Sequence, residues 1–422
     1  MDYLRRVLDQ ELDELLPGVA AIAIEGAKGV GKTATALRRA QSTLRLDDPA
    51  RHSALTADLD LVTRLEPPVL IDEWQLVPPV WDRVRRAVDD DPTGGRFLLT
   101  GSAHTPSSAR LHSGAGRIIR LHMRPLSMAE RFPNSATVST TELLSAEAQV
   151  DGRSELAVPD YAREILRSGF PGIRDLPDRA RRAQLDSYAE RIVEHELADS
   201  GVTIRSPEAL RAWLTAYASA TSSDASYSAV LDAATPAEAD KPSRQTVSRY
   251  REHLARLFVV DPVPAWTPTF APLKRLAKTP KHHLVDPALA ARLVGLGERA
   301  LLQGDGHHFK AEGSTFLGAL FESLVTQSVR TYAQTAEARV GHLRTRNGDH
   351  EIDLIIENPD MSIIGIEVKL KPSVVDRDVV HLHWLKAQMG SRMIDQVVIN
   401  TGEYAYRRPD GVAVIPLALL GP

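Results

Sequence analysis

The chain has 422 residues, 43% of them hydrophobic and 25% charged, which is ordinary globular chemistry and enough length for about two to four domains with separate cores. Its 55 acidic residues outnumber 51 Lys and Arg, a formal charge of −4 that excludes a strongly basic nucleic-acid coat and confines any DNA contact to a local patch. There is no cysteine, which excludes disulfides and thiolate metal sites and suits a reducing, cytoplasmic setting.

The N-terminal stretch MDYLRRVLDQELDELLPG reads as a charged amphipathic helix with Leu4, Leu8, Leu12, Leu15 and Leu16 on one stripe, not as a secretion signal. No apolar run reaches the ~18 residues of a membrane helix, so no membrane partner is expected. The stretch AIAIEGAKGVGKTATAL, ending at Leu37, then gives a buried strand over Ala21–Glu25, a glycine loop and a helix from Thr33 to about Leu44. Gly26, Gly31, Lys32 and Thr33 stand at the G-x-x-x-x-G-K-[ST] spacing. Backbone N–H groups from Gly26 through Ala27, Lys28, Gly29, Val30 and Gly31 to Ala34 would cradle phosphate oxygens. Lys32 would reach the β- and γ-phosphates, and the Thr33 hydroxyl would take one position on Mg²⁺. No N-K-x-D-like base reader follows this core, so ATP is favoured over the alternative of GTP or another NTP.

Pro67 and Pro68 precede the apolar run Val69, Leu70, Ile71, after which come Asp72 and Glu73. An apolar strand ending in two acids supplies the second half of an NTPase site: Asp72 is expected to hold Mg²⁺ and Glu73 to act as the catalytic base. The strand Arg96–Thr100 ends in Gly101 and Ser102, and Thr100 or Ser102 could sense the γ-phosphate, although a strand followed by a helix cap explains them equally. Arg110 and Arg117 are candidates to answer transition-state charge, in the same subunit or across an interface, with Arg117 preferred.

The succession GAKGVGKT, LIDEWQ, LLTGSA, GAGRIIRLHMRPLSMAE and SGFPG resembles the prokaryotic AAA+-like ATPases that carry a C-terminal DUF4143 region. The resemblance extends through PKHHLVDPALAA to the C-terminus. It implies ATP binding and hydrolysis on an AAA+-type core, and sites of that type are often completed by an arginine from a neighbouring copy. One departure is Trp74, where a small aliphatic residue is more usual; a bulky ring there could alter access to the base.

From about Asp151 the composition turns helical and charged. Gly169-Phe170-Pro171-Gly172 reads as a turn, Arg179 to Glu196 as a long helix packing as a lid or connector, and Ala218 to Asp240 as a partly flexible insertion. Ser243 can cap a helix with Val247, Tyr250, Leu254 and Leu257 on one face and Arg244, Gln245, Ser248, Arg249 and Arg251 largely on the other. With the strand-like FVVDPVPAW behind it, this reads as a winged helix-turn-helix for double-stranded DNA or, equally, for protein contact. Lys274, Arg275, Lys278 and Lys281 form an expected local basic patch.

In the C-terminal third, HEIDLIIE and SIIGIEVKLK read as strands with Glu351 and Asp353 on one face of the first, and Glu367 and Lys369 on one face of the second. If the strands pair, Asp353, Glu367 and Lys369 converge, with the two acids as Mg²⁺ ligands and the lysine placing the nucleophile. This order, with Glu322 on the preceding helix, resembles the PD-(D/E)xK nuclease family; a salt-bridged hairpin that keeps the fold without cutting is the alternative. The sequence thus gives an α/β protein in three parts: a P-loop, AAA+-type ATPase domain over 1–150, a helical and winged-helix-like domain over 151–270, and a nuclease-like α/β DUF4143 domain over 271–422. Two functions are open, a Mg²⁺-dependent ATPase controlling a DNA-directed domain, and a nucleotide-switched binding module whose C-terminal domain does not cut.

Overall fold

Five short apolar segments build the first sheet: β1 (Ala21–Glu25), β2 (Ser42–Arg45), β3 (Val69–Asp72), β4 (Phe97–Gly101) and β5 (Ile118–His122). All are parallel, in the order β2-β3-β4-β1-β5. Every residue of β1, β3 and β4 is buried, as central strands of a sheet covered on both faces must be. In such sheets ligands bind beyond the carboxyl ends of the strands, which is where the loops after β1, β3 and β4 gather. The computed structural model describes residues 3–102, 114–196, 206–235, 242–266, 279–303, 315–345 and 348–422.

These strands belong to the first of two compact units, formed by the described residues within Met1–Pro125, Glu194–Ile204 and Glu252–Val259; the second is formed by those within Leu126–Val193, Arg205–Arg251 and Val260–Pro422. In the first unit the N-terminal helix spans Val7–Leu15 and buries Leu8 and Leu12 of its predicted stripe. The helix after the glycine loop is shorter than expected. It covers only Lys32–Leu37, because Ser42–Arg45 is drawn out as the edge strand β2 by pairing with β3, and Gln41 N–H already donates to the Pro68 carbonyl at 2.9 Å.

The second unit carries a six-stranded sheet. Its strands are β7 (Arg339–Arg344), β8 (Glu351–Glu357), β9 (Ile363–Val368), β10 (Met393–Asn400), β11 (Tyr406–Arg407) and β12 (Ala413–Pro416), in the order β11-β12-β10-β9-β8-β7; β6 (Val138–Ser139) pairs apart with β13 (Leu420–Gly421). Strands β7 and β9 each run antiparallel to β8 between them, whereas β9 and β10 are parallel and are joined through the helix Val380–Met389. A Cβ on Gly365 of β9 would lie 2.7 Å from Met393 Cε of β10 and 3.1 Å from Leu382 Cδ2 of that helix.

Two expectations for the middle of the chain change. The stretch read as a flexible insertion contains the helix Tyr227–Ala234, whose Val230 and Leu231 are buried, and Ser222 and Ser223 exchange backbone hydrogen bonds with His282. The Phe-Pro-Gly turn is a short helix, Pro171–Arg174, and Asp178–Arg191 continues into a π-helical turn over Ile192–Glu196. The predicted helix at Ser243 spans Arg244–Arg256, capped by a hydrogen bond from Thr246 N–H to Ser243 Oγ at 3.1 Å. Its face of Val247, Tyr250, Leu254 and Leu257 is buried, while Arg244, Gln245 and Arg249 are exposed and Arg251 lies over the Tyr227 ring.

Candidate functional sites

The phosphate loop follows the buried end of β1. Gly26, Gly29 and Gly31 have φ of +154°, +84° and +104°, and a Cβ on Gly26 would fall 2.2 Å from the Met123 carbonyl oxygen, so the backbone path there requires glycine. Lys32 is buried, and its Nζ donates to the carbonyls of Gly26 and Ala27 at 2.9 Å each, folding the ammonium over the loop. The loop is braced from the N-terminal segment: Arg6, 5% exposed, donates through Nη1 to Val30 O and through Nη2 to Arg124 O, both at 2.7 Å.

The acids after β3 meet this loop. Thr33 Oγ1 donates to Asp72 Oδ1 at 2.8 Å, and the buried Thr100 hydroxyl donates to the same oxygen. Glu73, the next residue, stands in the left-handed region at φ 56°, a conformation uncommon for a side chain other than glycine, asparagine or aspartate. Its Oε2 accepts from Gln75 Nε2 and, at 3.4 Å, from the Ser102 hydroxyl. Gln75 was not singled out in the sequence; only its position two residues beyond the base could have marked it. Trp74 is buried against Trp81, 4.6 Å between ring centroids, with its Nε1 beside Gly101.

Thr33 and Asp72 suit a Mg²⁺ ion: one hydroxyl and one carboxylate, both hard oxygen donors, face each other. Arg117 does not reach phosphate within its own chain. It precedes Ile118, which pairs with Ala21 at the entry of β1, so it lies about 20 Å along the strands from Gly26, and it is tied to Asp89 at 2.7 Å. Arg110 lies outside the described residues.

A second cluster lies in the other unit. The β8–β9 register pairs Leu354 with Ile366, which continued by one residue sets Asp353 opposite Glu367, and Asp353 Oδ2 accepts the Val368 N–H at 2.9 Å. Glu322, on the helix Phe316–Thr335, joins them, and Glu322, Glu351, Asp353, Glu367, Lys369, Lys371 and His381 are among the residues lining a cleft of about 570 Å³. Lys369 Nζ donates to Glu367 Oε2 at 2.6 Å, while the buried Glu367 Oε1 has no hydrogen-bond partner. Burial, with Asp353 beside it, pushes the Glu367 carboxyl up to about 8. For Lys369, burial alone would lower the pKa, and Glu367 and Asp353 reverse this and raise it.

Lys281 is the residue the sequence misplaced. Expected on a basic surface patch, it is 1% exposed, and its Nζ stands 2.7 Å from Glu322 Oε1, 2.9 Å from Asp353 Oδ1 and 3.4 Å from Glu351 Oε1. Its own burial would favour the neutral amine, but Asp353, Glu322 and Glu351 hold its pKa well above the usual lysine value. Lys274, Arg275 and Lys278 lie outside the described residues. The expected pair of metal ligands, Asp353 and Glu367, therefore does not fit a divalent ion as it stands: an ammonium already fills the space beside Asp353. Among the described residues no group of three or more His, Asp and Glu side chains is arranged to hold a metal.

Among the described residues no helix is long and apolar enough to cross a membrane. Family models match the chain in three places: an AAA domain over residues 19–132, a domain of unknown function (DUF8612) over 158–300 and another (DUF4143) over 317–420. Two relatives, both described as uncharacterized proteins, come from Mycobacterium bovis and Mycobacterium tuberculosis; each is 26% identical over 98% of this chain and 83% of its own length. Among solved structures the Aeropyrum pernix ORC2 protein is similar over 68% of this chain and 91% of that one, at 14% identity and a TM-score of 0.27. The AAA match coincides with the parallel sheet and its glycine loop, so the chain carries an AAA domain, a nucleotide-binding module of the ATPase type, and ends in a DUF4143 region.

Proposed function

We propose that the chain binds ATP and hydrolyses it with Mg²⁺. The observation that carries this reading is the meeting of Thr33 with Asp72 at 2.8 Å beside Glu73, at the mouth of a glycine loop already closed over Lys32. The backbone of Gly26 to Ala34 and the Lys32 ammonium bind the phosphates. Thr33 and Asp72 would hold Mg²⁺, which would supply positive charge against the phosphate oxygens. Glu73 takes the proton of the attacking water, oriented by Gln75 and Ser102. Arg117 serves across an interface in a homo-oligomer, because in its own chain it stands at the amino end of the strands and the loop at their carboxyl end.

The hydrolysis cycle would control the C-terminal domain, in a cytoplasmic protein with the three parts given by the sequence. Exposed Arg244, Gln245 and Arg249 on one helix face support double-stranded DNA as the partner of a winged-helix-like middle domain. The cleft of Glu322, Asp353, Glu367 and Lys369 supports a PD-(D/E)xK-like fold. One observation favours the second function, binding without cutting: Lys281 already pairs with Glu322 and Asp353.

The test is phosphate release from ATP by the purified chain, with and without double-stranded DNA, followed by a gel of the recovered DNA. Lys32→Ala should abolish nucleotide binding, and Glu73→Gln should bind ATP with hydrolysis down about 100-fold or more. Undiminished turnover in Glu73→Gln would reassign the base, and hydrolysis indifferent to DNA would turn the search to a protein partner.

A further inference from the structure

A cleft lined with Glu322, Glu351, Asp353 and Glu367 calls for a cation, and this one is built with a cation of its own. Val263 and Lys281 exchange both backbone hydrogen bonds at 2.9 Å, which fixes the base of the lysine stem. The stem delivers an ammonium, with three protons to donate, to three carboxylates at 2.7, 2.9 and 3.4 Å. Asp353 is then used on both oxygens: Oδ1 by Lys281 and Oδ2 by the Val368 N–H. A Mg²⁺ ion at about 2.1 Å from Asp353 Oδ1 would have to share that oxygen with an ammonium of like charge. What the cluster still lacks is at Glu367, whose Oε1 is buried in the cleft wall without a partner.

We infer that Lys281 is the resident cation of the C-terminal cleft: its ammonium stands where a nuclease-like fold holds a divalent ion, and it keeps Mg²⁺ and Mn²⁺ out. The inference rests on reading this domain as nuclease-like and binding without cutting. It makes a demand that an ordinary buried salt bridge does not. With the ammonium removed, Glu322 Oε1, Asp353 Oδ1 and the unpartnered Glu367 Oε1 should form a divalent site, because hard carboxylate oxygens left without a counter-charge recruit one.

The experiment is a Mn²⁺ titration of the full chain followed by electron paramagnetic resonance, without nucleotide and with Asp72→Asn in every sample to silence the phosphate-loop metal contact. With Lys281 in place, adding Asp353→Asn should leave the titration unchanged. Lys281→Met should gain one site binding at least about tenfold more tightly than the background, and Asp353→Asn should abolish it. A Mn²⁺ ion bound beside Lys281 and lost in Asp353→Asn overturns the inference, as does a folded Lys281→Met protein that gains no site. If Lys281→Met melts early, millimolar Mn²⁺ should raise its melting temperature and leave unmoved that of the Asp72→Asn chain with Lys281 in place. If it does not fold at all, Lys281→Met with Glu351→Gln removes one charge of each sign and keeps the three named ligands, and absence of a Mn²⁺ site there also overturns the inference. Plasmid cleavage by the native chain is scored separately: cleavage lost in Asp353→Asn sinks the binding reading, whereas Mn²⁺ bound without cleavage sinks only the role of Lys281.

Discussion

Thr33 and Asp72, 39 residues apart in the chain, meet through a hydrogen bond of 2.8 Å that joins the two halves of the nucleotide site. Thr100 donates to the same Asp72 oxygen, so the carboxylate is held from both sides before any ligand arrives. Asp72→Asn keeps an oxygen that can accept both hydroxyls but removes the charge. The expected outcome is hydrolysis reduced about 100-fold, with weaker dependence of nucleotide binding on Mg²⁺. The melting temperature should stay within about 2 °C of the native value; a much larger fall would show that Asp72 holds the fold and not the ion.

Arg6 ties the loop to the rest of its unit through two carbonyls, Val30 O and Arg124 O. Arg6→Ala leaves both buried acceptors short of a charged donor, at a cost of about 2–4 kcal/mol, and frees the loop at its tightest point. Calorimetric titration should show ATP affinity down about tenfold. Unchanged affinity in a folded variant would mean that the glycine backbone alone sets the loop.

Glu367 gives the C-terminal cleft a pH dependence. Burial first, and then Asp353, raise its pKa from an ordinary 4.5 to about 8, so the folded chain holds this proton more tightly than the unfolded chain. Its contribution to stability is therefore full below pH 4.5 and is lost as the pH climbs through about 8. Relative to Glu367→Gln, the native protein should lose melting temperature steadily between about pH 5 and pH 9. Parallel curves for the two proteins across that window would refute the assignment.

Gly365 tests packing away from either site. An alanine there must push aside Met393 Cε and Leu382 Cδ2, at 2.7 and 3.1 Å from its Cβ, at a cost of about 1–3 kcal/mol. Denaturant unfolding should show that loss with ATP hydrolysis unchanged. A neutral substitution would mean that the Met393 side chain of β10 and Leu382 of the helix Val380–Met389 give way.

The sequence by itself determined the elements that local chemistry encodes. Ala21–Glu25 and Val69–Asp72 are strands because each is a continuous apolar run cut off by a glycine loop or an acidic pair, and the glycine spacing fixes the phosphate loop through backbone angles that other residues resist. Period-two alternation likewise foretold that Asp353 and Glu367 would face each other across β8 and β9. Other features had no local signal. Ser42–Arg45 became a strand because β3 offered an open edge, overriding a helical reading continued from Lys32. The role of Lys281 was out of reach for a stronger reason: in sequence it belongs to a run of basic residues, whose usual place is in water. Only the tertiary structure, by pairing its backbone with Val263 and closing Glu322 and Asp353 around it, decided that this charge is buried, because three nearby carboxylates offset the desolvation that one lysine could not bear alone.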